Sequence, residues 1–183
     1  MDDLRFIRET MERSGSFTHV SGLGVIAMGV IALGAAVVAW NATGLWTWLG
    51  AWLGAAALSL STAVYLRARK SRSEGMALLT GPGRKFLWNV VPPLAVGAIL
   101  TVACLRVGAV WLLPGSWLML YGAGVVAAGS HSVRPVPLMG VAFMTVGTAA
   151  LLAPAGWGNV FMAAGFGGLH LVFGLVIWRR HGG

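Results

Sequence analysis

Apolar residues fall along this chain in six runs, at about Val20–Trp40, Trp46–Leu66, Phe86–Leu105, Gly115–Gly129, Val136–Ala153 and Trp157–Trp178. Most approach 20 residues, and none shows the apolar–polar alternation of a barrel strand, so the pattern predicts membrane-spanning helices. The first run would reach roughly 31 Å as an α-helix, enough for one crossing. Short breaks separate the first run from the second (Asn41-Ala42-Thr43-Gly44) and the fifth from the sixth (Pro154-Ala155-Gly156). Only Arg67 to Lys85 is a long polar connection. Pro92-Pro93 falls near the start of the third run, where it either kinks the helix or marks its first turn.

The runs repeat. Shifted by 45 residues, Val136, Pro137 and Val141 fall on Val91, Pro92 and Val96, while Gly167, Gly174 and Arg179 fall on Gly122, Gly129 and Arg134. A looser match at a shift of 116 sets Gly24, Val25, Met28 and Val30 on Gly140, Val141, Met144 and Val146. The expected architecture is therefore an all-α, six-span membrane domain over 19–183, built as three hairpins at about 20–66, 86–129 and 136–178. Residues 1–18 lie outside it. Asp2 to Arg13 reads as a short amphipathic helix with Leu4, Ile7 and Met11 on one face, suited to lying on headgroups or to docking a protein partner. Four acids in that stretch are the wrong leading region for a secretory peptide.

Composition supports a bilayer as solvent: of 183 residues 57% are hydrophobic and 10% charged, well below the roughly 25% charged of a soluble domain. The net charge of +8 would suggest nucleic acid in a soluble protein, but sidedness explains it. With the N-terminus inside, twelve of the thirteen bases fall on the inner side and only Arg106 falls outside, which satisfies the positive-inside rule with both termini cytoplasmic. Tryptophans mark both boundaries, as an aromatic belt should. The expected partner is the lipid bilayer, with Arg67, Arg69, Lys70, Arg72, Arg84 and Lys85 of the basic loop 67–85 on anionic headgroups. Gly81-Pro82-Gly83-Arg84-Lys85 lacks the spacing of a phosphate-binding loop and reads as a tight turn.

Met139-Gly140, Ala153-Pro154, Gly167-Gly168, Gly174 and Arg179 together resemble the HdeD-like family of small bacterial inner-membrane proteins, some linked to acid resistance. That resemblance covers the last hairpin well, the middle one fairly and the first weakly. It implies repeated two-helix hairpins in a bacterial inner membrane and carries over no catalytic residue. The basic loop and the N-terminal helix lie outside the family's pattern.

Candidate chemistry is sparse. The spans contain no Asp, Glu or Lys, which argues against a proton-coupled relay and against paired-carboxylate hydrolysis. The single cysteine, Cys104, allows neither an internal disulfide nor a multi-cysteine metal site. His19 and His181 lie at helix ends and His131 in an inner turn. His170 lies roughly 12 Å inside a helix end. Its ring is expected neutral and hydrogen-bonded to a hydroxyl or carbonyl of a neighbouring helix; the competing readings are a haem or metal ligand and part of a solute path. Glycines suit close helix contacts: Gly50 with Gly54, Gly122 with Gly129, Gly167 with Gly174, and Gly168 four residues after Ala164. The expected function is a non-enzymatic inner-membrane component, stress-related or accessory to a membrane complex, with no cofactor. The alternatives are a channel or carrier for a small neutral or anionic solute, and a haem-binding redox subunit. A homo-oligomer stays open.

Overall fold

The computed structural model describes residues 21–73, 81–130 and 132–181. These form helices α1 (Gly22–Trp40), α2 (Leu45–Ser73), α3 (Gly81–Val107), α4 (Leu113–Gly129), α5 (Pro135–Leu152), α6 (Gly158–Met162) and α7 (His170–His181). A π-helical segment, Ala163–Leu169, joins α6 to α7 without a break, and short 3₁₀ turns precede α4 and α6. Helix is the one regular structure among the described residues, without a strand, and six stretches are long and apolar enough to cross a membrane, the sixth being Ala155–Arg180. The predicted helix over Asp2–Arg13, as well as His19 and His131, lies outside the described residues.

Local chemistry sets the helix ends. The Ser21 hydroxyl accepts from the Gly24 amide to cap α1, and the Asn41 side-chain amide donates to the Val37 carbonyl at its other end. Gly108 has φ +74° and ends α3, with the Ala109 amide donating back to the Cys104 carbonyl. That is the glycine-terminated cap in which only a residue lacking Cβ is unstrained.

Three expectations need correction. The stretch 67–85 is mostly helix rather than a loop, because α2 continues to Ser73 and α3 already starts at Gly81. Nothing between Arg67 and Ser73 breaks a helix, so α2 runs on past its span. Gly81-Pro82-Gly83 opens α3 instead of forming a tight turn, with Pro82 in the first turn, where its missing amide costs nothing. Pro92 and Pro93 lie well inside α3 rather than at its start. The Pro93 ring fits against Gly124 of α4, whose Cβ would stand 3.5 Å from it.

Two antiparallel seams close the bundle. Between α4 and α5, a methyl on Gly122 would stand 2.6 Å from the Gly140 carbonyl oxygen, and one on Gly140 would stand 2.7 Å from that of Gly122. Gly115 and Gly147 face each other in the same way, at 2.8 and 2.9 Å. Between α1 and the sixth span, a methyl on Gly174 would meet the Ile26 amide nitrogen at 2.8 Å and the Gly22 oxygen at 3.2 Å, and one on Gly29 would meet the Gly167 oxygen at 3.0 Å. Glycines seven residues apart recur on one helix face, so each seam lets two backbones touch along two turns. At such range Cα–H groups can point at carbonyl oxygens across the seam.

The seams share one pattern: Gly115, Met119, Gly122 and Val126 stand to α5 as Gly167, Leu171, Gly174 and Trp178 stand to α1. This register is one heptad away from the one a shift of 45 residues would give.

α1 and α4 lie at the centre, with 44% and 39% of their spans buried. α2 and α3 lie at the periphery, with 11% and 17%. α2 packs on α1 and α3 packs on α4. α2 and α3 do not pack along one another. Leu49 and Cys104 share a small buried cluster with Leu113, near the ends of the two helices that the short turns join.

Candidate functional site

His170 starts α7 just after the π-helical segment. Its ring is 3% exposed and packs among Tyr121 of α4, Phe143 of α5 and Phe166 of the π segment, with ring centroids at 5.3, 5.0 and 6.2 Å. The Nδ1 atom lies 2.7 Å from the Phe166 carbonyl oxygen. A carbonyl only accepts, so Nδ1 carries the proton. Nε2 lies 2.7 Å from the Tyr121 hydroxyl and accepts from it in the neutral tautomer that this sets. Both ring nitrogens are thus engaged, one within the sixth span and one across to α4.

The π segment has a direct part in this. A π turn is wider than an α turn and rotates the helix after it relative to the helix before it. Gly165 and Gly167 keep the segment close to its neighbours: a methyl on Gly165 would strike Leu118, and one on Gly167 would strike Leu33. Phe166, between them, stacks edge-on to Tyr121 at 5.3 Å and lies 5.4 Å from Phe143. The result is an aromatic box closed around one polar pair.

A second polar knot sits nearer the turn-joined ends. The Asn159 carbonyl oxygen accepts from Trp48 Nε1 at 2.6 Å and from Trp52 Nε1 at 3.4 Å, while its amide nitrogen donates to the Ala39 carbonyl at 3.2 Å. One side chain on α6 therefore holds α1 and α2. Trp48 stacks on Trp117 of α4 at 5.6 Å and 15°. Trp117 Nε1 donates to the Thr101 hydroxyl of α3 at 2.8 Å, and Thr101 donates in turn to the Gly97 carbonyl at 2.7 Å. The relay Asn159–Trp48–Trp117–Thr101 links four helices, and the Asn159 bond to Ala39 adds α1. Beside it opens a cleft of about 420 Å³ lined by Trp40, Thr43, Trp48, Trp111, Pro114 and Asn159 among others. α2, α4 and α6 all begin at its rim.

The sequence singled out His170 but not its partner Tyr121, and it passed over Asn159 and Thr101. The pairing of Phe166 with Tyr121 in the 45-residue shift pointed at the right two positions without showing that they touch. A lone asparagine two residues after Trp157 was the available signal for the second knot.

Of the glycines expected to make close contacts, Gly122, Gly129, Gly167 and Gly174 lie on the seams. Gly50, Gly54 and Gly168 do not: a methyl on any of them would meet no described atom within 4 Å. These three glycines therefore make no close helix contact among the described residues of the one chain. Gly50 and Gly54 lie on the outer helix α2, whose packed face is formed by Leu49 and Trp52 instead. Gly54 and Gly34 line an apolar groove of about 360 Å³ between α1 and α2.

Iron coordination at His170 Nε2 would require the Tyr121 hydroxyl to leave, and no three His, Cys, Asp or Glu come together among the described residues. The six bases between Arg67 and Lys85 lie on the helical extensions of α2 and α3 beyond their spans, with their side chains outside the described set. Cys104 is buried beside Leu113.

Comparison with protein-family models, with curated proteins and with solved structures returns no match.

Proposed function

We propose that this multi-pass membrane protein is a non-enzymatic component of a bacterial inner membrane, accessory to a membrane complex or to a stress response, as its resemblance to the HdeD-like pattern suggests. One observation carries the reading. The polar side chains buried within the spans are spent on each other: His170 on Tyr121 and Phe166, Asn159 on two tryptophans and Ala39, Thr101 on Trp117 and Gly97. Paired polar groups in lipid act as joints between helices, and a joint already made has no atom directed at a substrate. On this reading three hairpins arose by repetition, both termini face the cytoplasm, the bases flanking the α2–α3 connection rest on anionic headgroups, and no cofactor is bound.

The first test is an absorption spectrum of the detergent-purified protein. No band near the haem Soret region is the expected result, and a stoichiometric band would replace this reading with the redox one. Orientation is tested by C-terminal reporters: one active only after export should stay silent and one active in cytoplasm should work.

A carrier for a small neutral or anionic solute is the second reading, favoured by the cleft around Asn159, where three helices begin. Solute flux into liposomes, abolished by a bulky residue at Gly158, would support it over the first.

A further inference from the structure

The groove between α1 and α2 is built to one pattern from both sides. α1 supplies Ile31 and the residues three, four and seven positions on, and α2 supplies Ala51 and the residues at the same three spacings. That spacing is one face of each helix. The middle of both faces is small, Gly34 with Ala35 and Gly54 with Ala55. A methyl on Gly34 or Gly54 would meet no described atom within 4 Å. α1 and α2 run antiparallel, so Ile31 and Leu58 bound one end of the groove and Val38 and Ala51 the other, toward the Asn41–Gly44 turn. Ile31 is the middle residue of α1 (Gly22–Trp40), which sets the Ile31–Leu58 end near the bilayer midplane. The groove thus runs from mid-membrane, between two branched side chains, toward one membrane surface.

We infer that this groove holds one hydrocarbon tail of a membrane lipid, taken from the leaflet on the turn side, with its terminal methyl at Ile31 and Leu58. Physical limits exclude the other occupants. Water needs two to four polar partners, and every side chain lining the groove is apolar or absent. An empty groove would leave its walls without dispersion contacts in a medium of acyl chains. A helix of a second copy is too thick. From Ile31 to Val38 the groove is about 10.5 Å long at 1.5 Å per residue, so its volume of about 360 Å³ leaves a mean cross-section on the order of 35 Å². An α-helix 10–12 Å across needs about 80 Å² or more. It would bridge the rim and leave the floor at Gly34 and Gly54 bare, whereas a single tail reaches it.

The change of lining along the two helices fits the same occupant. Ala39 follows Val38 directly, Trp48 precedes Ala51 by three residues, and both line the cleft that also presents Thr43 and Asn159. On each helix, apolar lining gives way to lining with polar groups within one turn. That is the tail-to-head order of a lipid whose head lies at the turn surface.

The test is photolabelling of the full chain in nanodiscs of phosphatidylcholine that carries a diazirine at the tip of one acyl chain, with labelled residues mapped by mass spectrometry. Ile31 and Leu58 should be labelled severalfold more than Ile99 and Val102 of α3, although these are 71% and 57% exposed. Moving the diazirine close to the glycerol should shift the label to Val38 and Ala51. Gly54→Leu fills the groove and should bring Ile31 and Leu58 down to the level of Ile99, with Ile99 itself unchanged. Gly50→Leu adds the same bulk to α2 outside the groove and should leave the pattern as it is. Even labelling of all four sites overturns the proposal, as does a pattern that ignores Gly54→Leu or responds equally to Gly50→Leu. Two copies per nanodisc with Ile31 and Leu58 protected would assign the groove to a second copy and overturn it too. If Gly54→Leu does not fold, the shift of label with diazirine depth in the wild type decides alone.

Discussion

Replacing Gly122 by alanine adds one methyl at the closest backbone approach of the α4–α5 seam. That methyl would stand 2.6 Å from the Gly140 oxygen, 2.8 Å from Met144 Cγ and 2.9 Å from the Met144 amide nitrogen. Two of these three atoms are backbone and cannot turn aside. The helices must part by more than half an ångström, and because Gly115 and Gly147 touch in the same manner two turns away, parting at one point loosens the other. Overpacking of this kind costs about 1–3 kcal/mol. Alanine also favours helix over glycine by about 1 kcal/mol, which hides part of the loss.

Gly168→Ala is the matched control, since its methyl meets no described atom within 4 Å and it keeps only the propensity gain. The propensity gain is common to both variants, so they should differ by the seam cost, about 1–3 kcal/mol. Unfolding in mixed detergent micelles, followed by circular dichroism, measures the difference. If Gly122→Ala melts at or above Gly168→Ala, the seam does not bring the two backbones together, and the packing scheme for both seams fails with it.

The polar joints give further expectations. Tyr121→Phe leaves His170 Nε2 without its donor inside an aromatic box and should destabilise by about 1–3 kcal/mol, read in the same melts, whereas a matched loss is not expected for Tyr65→Phe on the exposed face of α2. His170→Gln should retain more stability than His170→Leu, because an amide can still accept from Tyr121; equal melting of the two would show that the pair contributes nothing. Asn159→Leu strands the Trp48 indole, while the Ala39 carbonyl keeps the Ala42 amide as donor; it should lower stability by a similar amount while raising tryptophan accessibility to an aqueous quencher, and an unchanged quenching curve would contradict the knot.

Helix number and rough placement were legible because hydrophobic length is a local property: twenty apolar residues announce a span wherever they occur. Glycines seven apart were legible for the same reason. Which helix they meet was not, since partner choice depends on the shape of the whole bundle; Gly50 and Gly54 have the spacing of a contact motif and yet make no close contact. The tight turn expected at Gly81-Pro82-Gly83 failed on a narrower point. Glycine and proline signal a break, but proline is also at home in a helix's first turn, and only the neighbouring structure decides between them. His170 was visible as a polar residue out of place. Tyr121 was not, because a tyrosine in a membrane helix draws no notice until its hydroxyl is found against something.

The two kinds of joint in this bundle do different physical work. The glycine seams hold α4 on α5 and α1 on the sixth span through backbone proximity, which is short-ranged and tolerates no insertion. The hydrogen-bonded joints hold the seams to each other: Tyr121 and His170 connect one seam's helix to the other's across the aromatic box, and Asn159 with Trp48, Trp117 and Thr101 brings α2 and α3 to the same core at their turn-joined ends. A π segment lies in the sixth span where these demands meet. The α1 seam uses Gly167 and Gly174 on one face, the box uses Phe166 and His170 on the adjacent one, and Ala163–Leu169 carries Phe166 and Gly167, one residue of each. Among the described residues no glycine seam joins α2 to α3, so each is held through its own inner neighbour, α2 on α1 and α3 on α4.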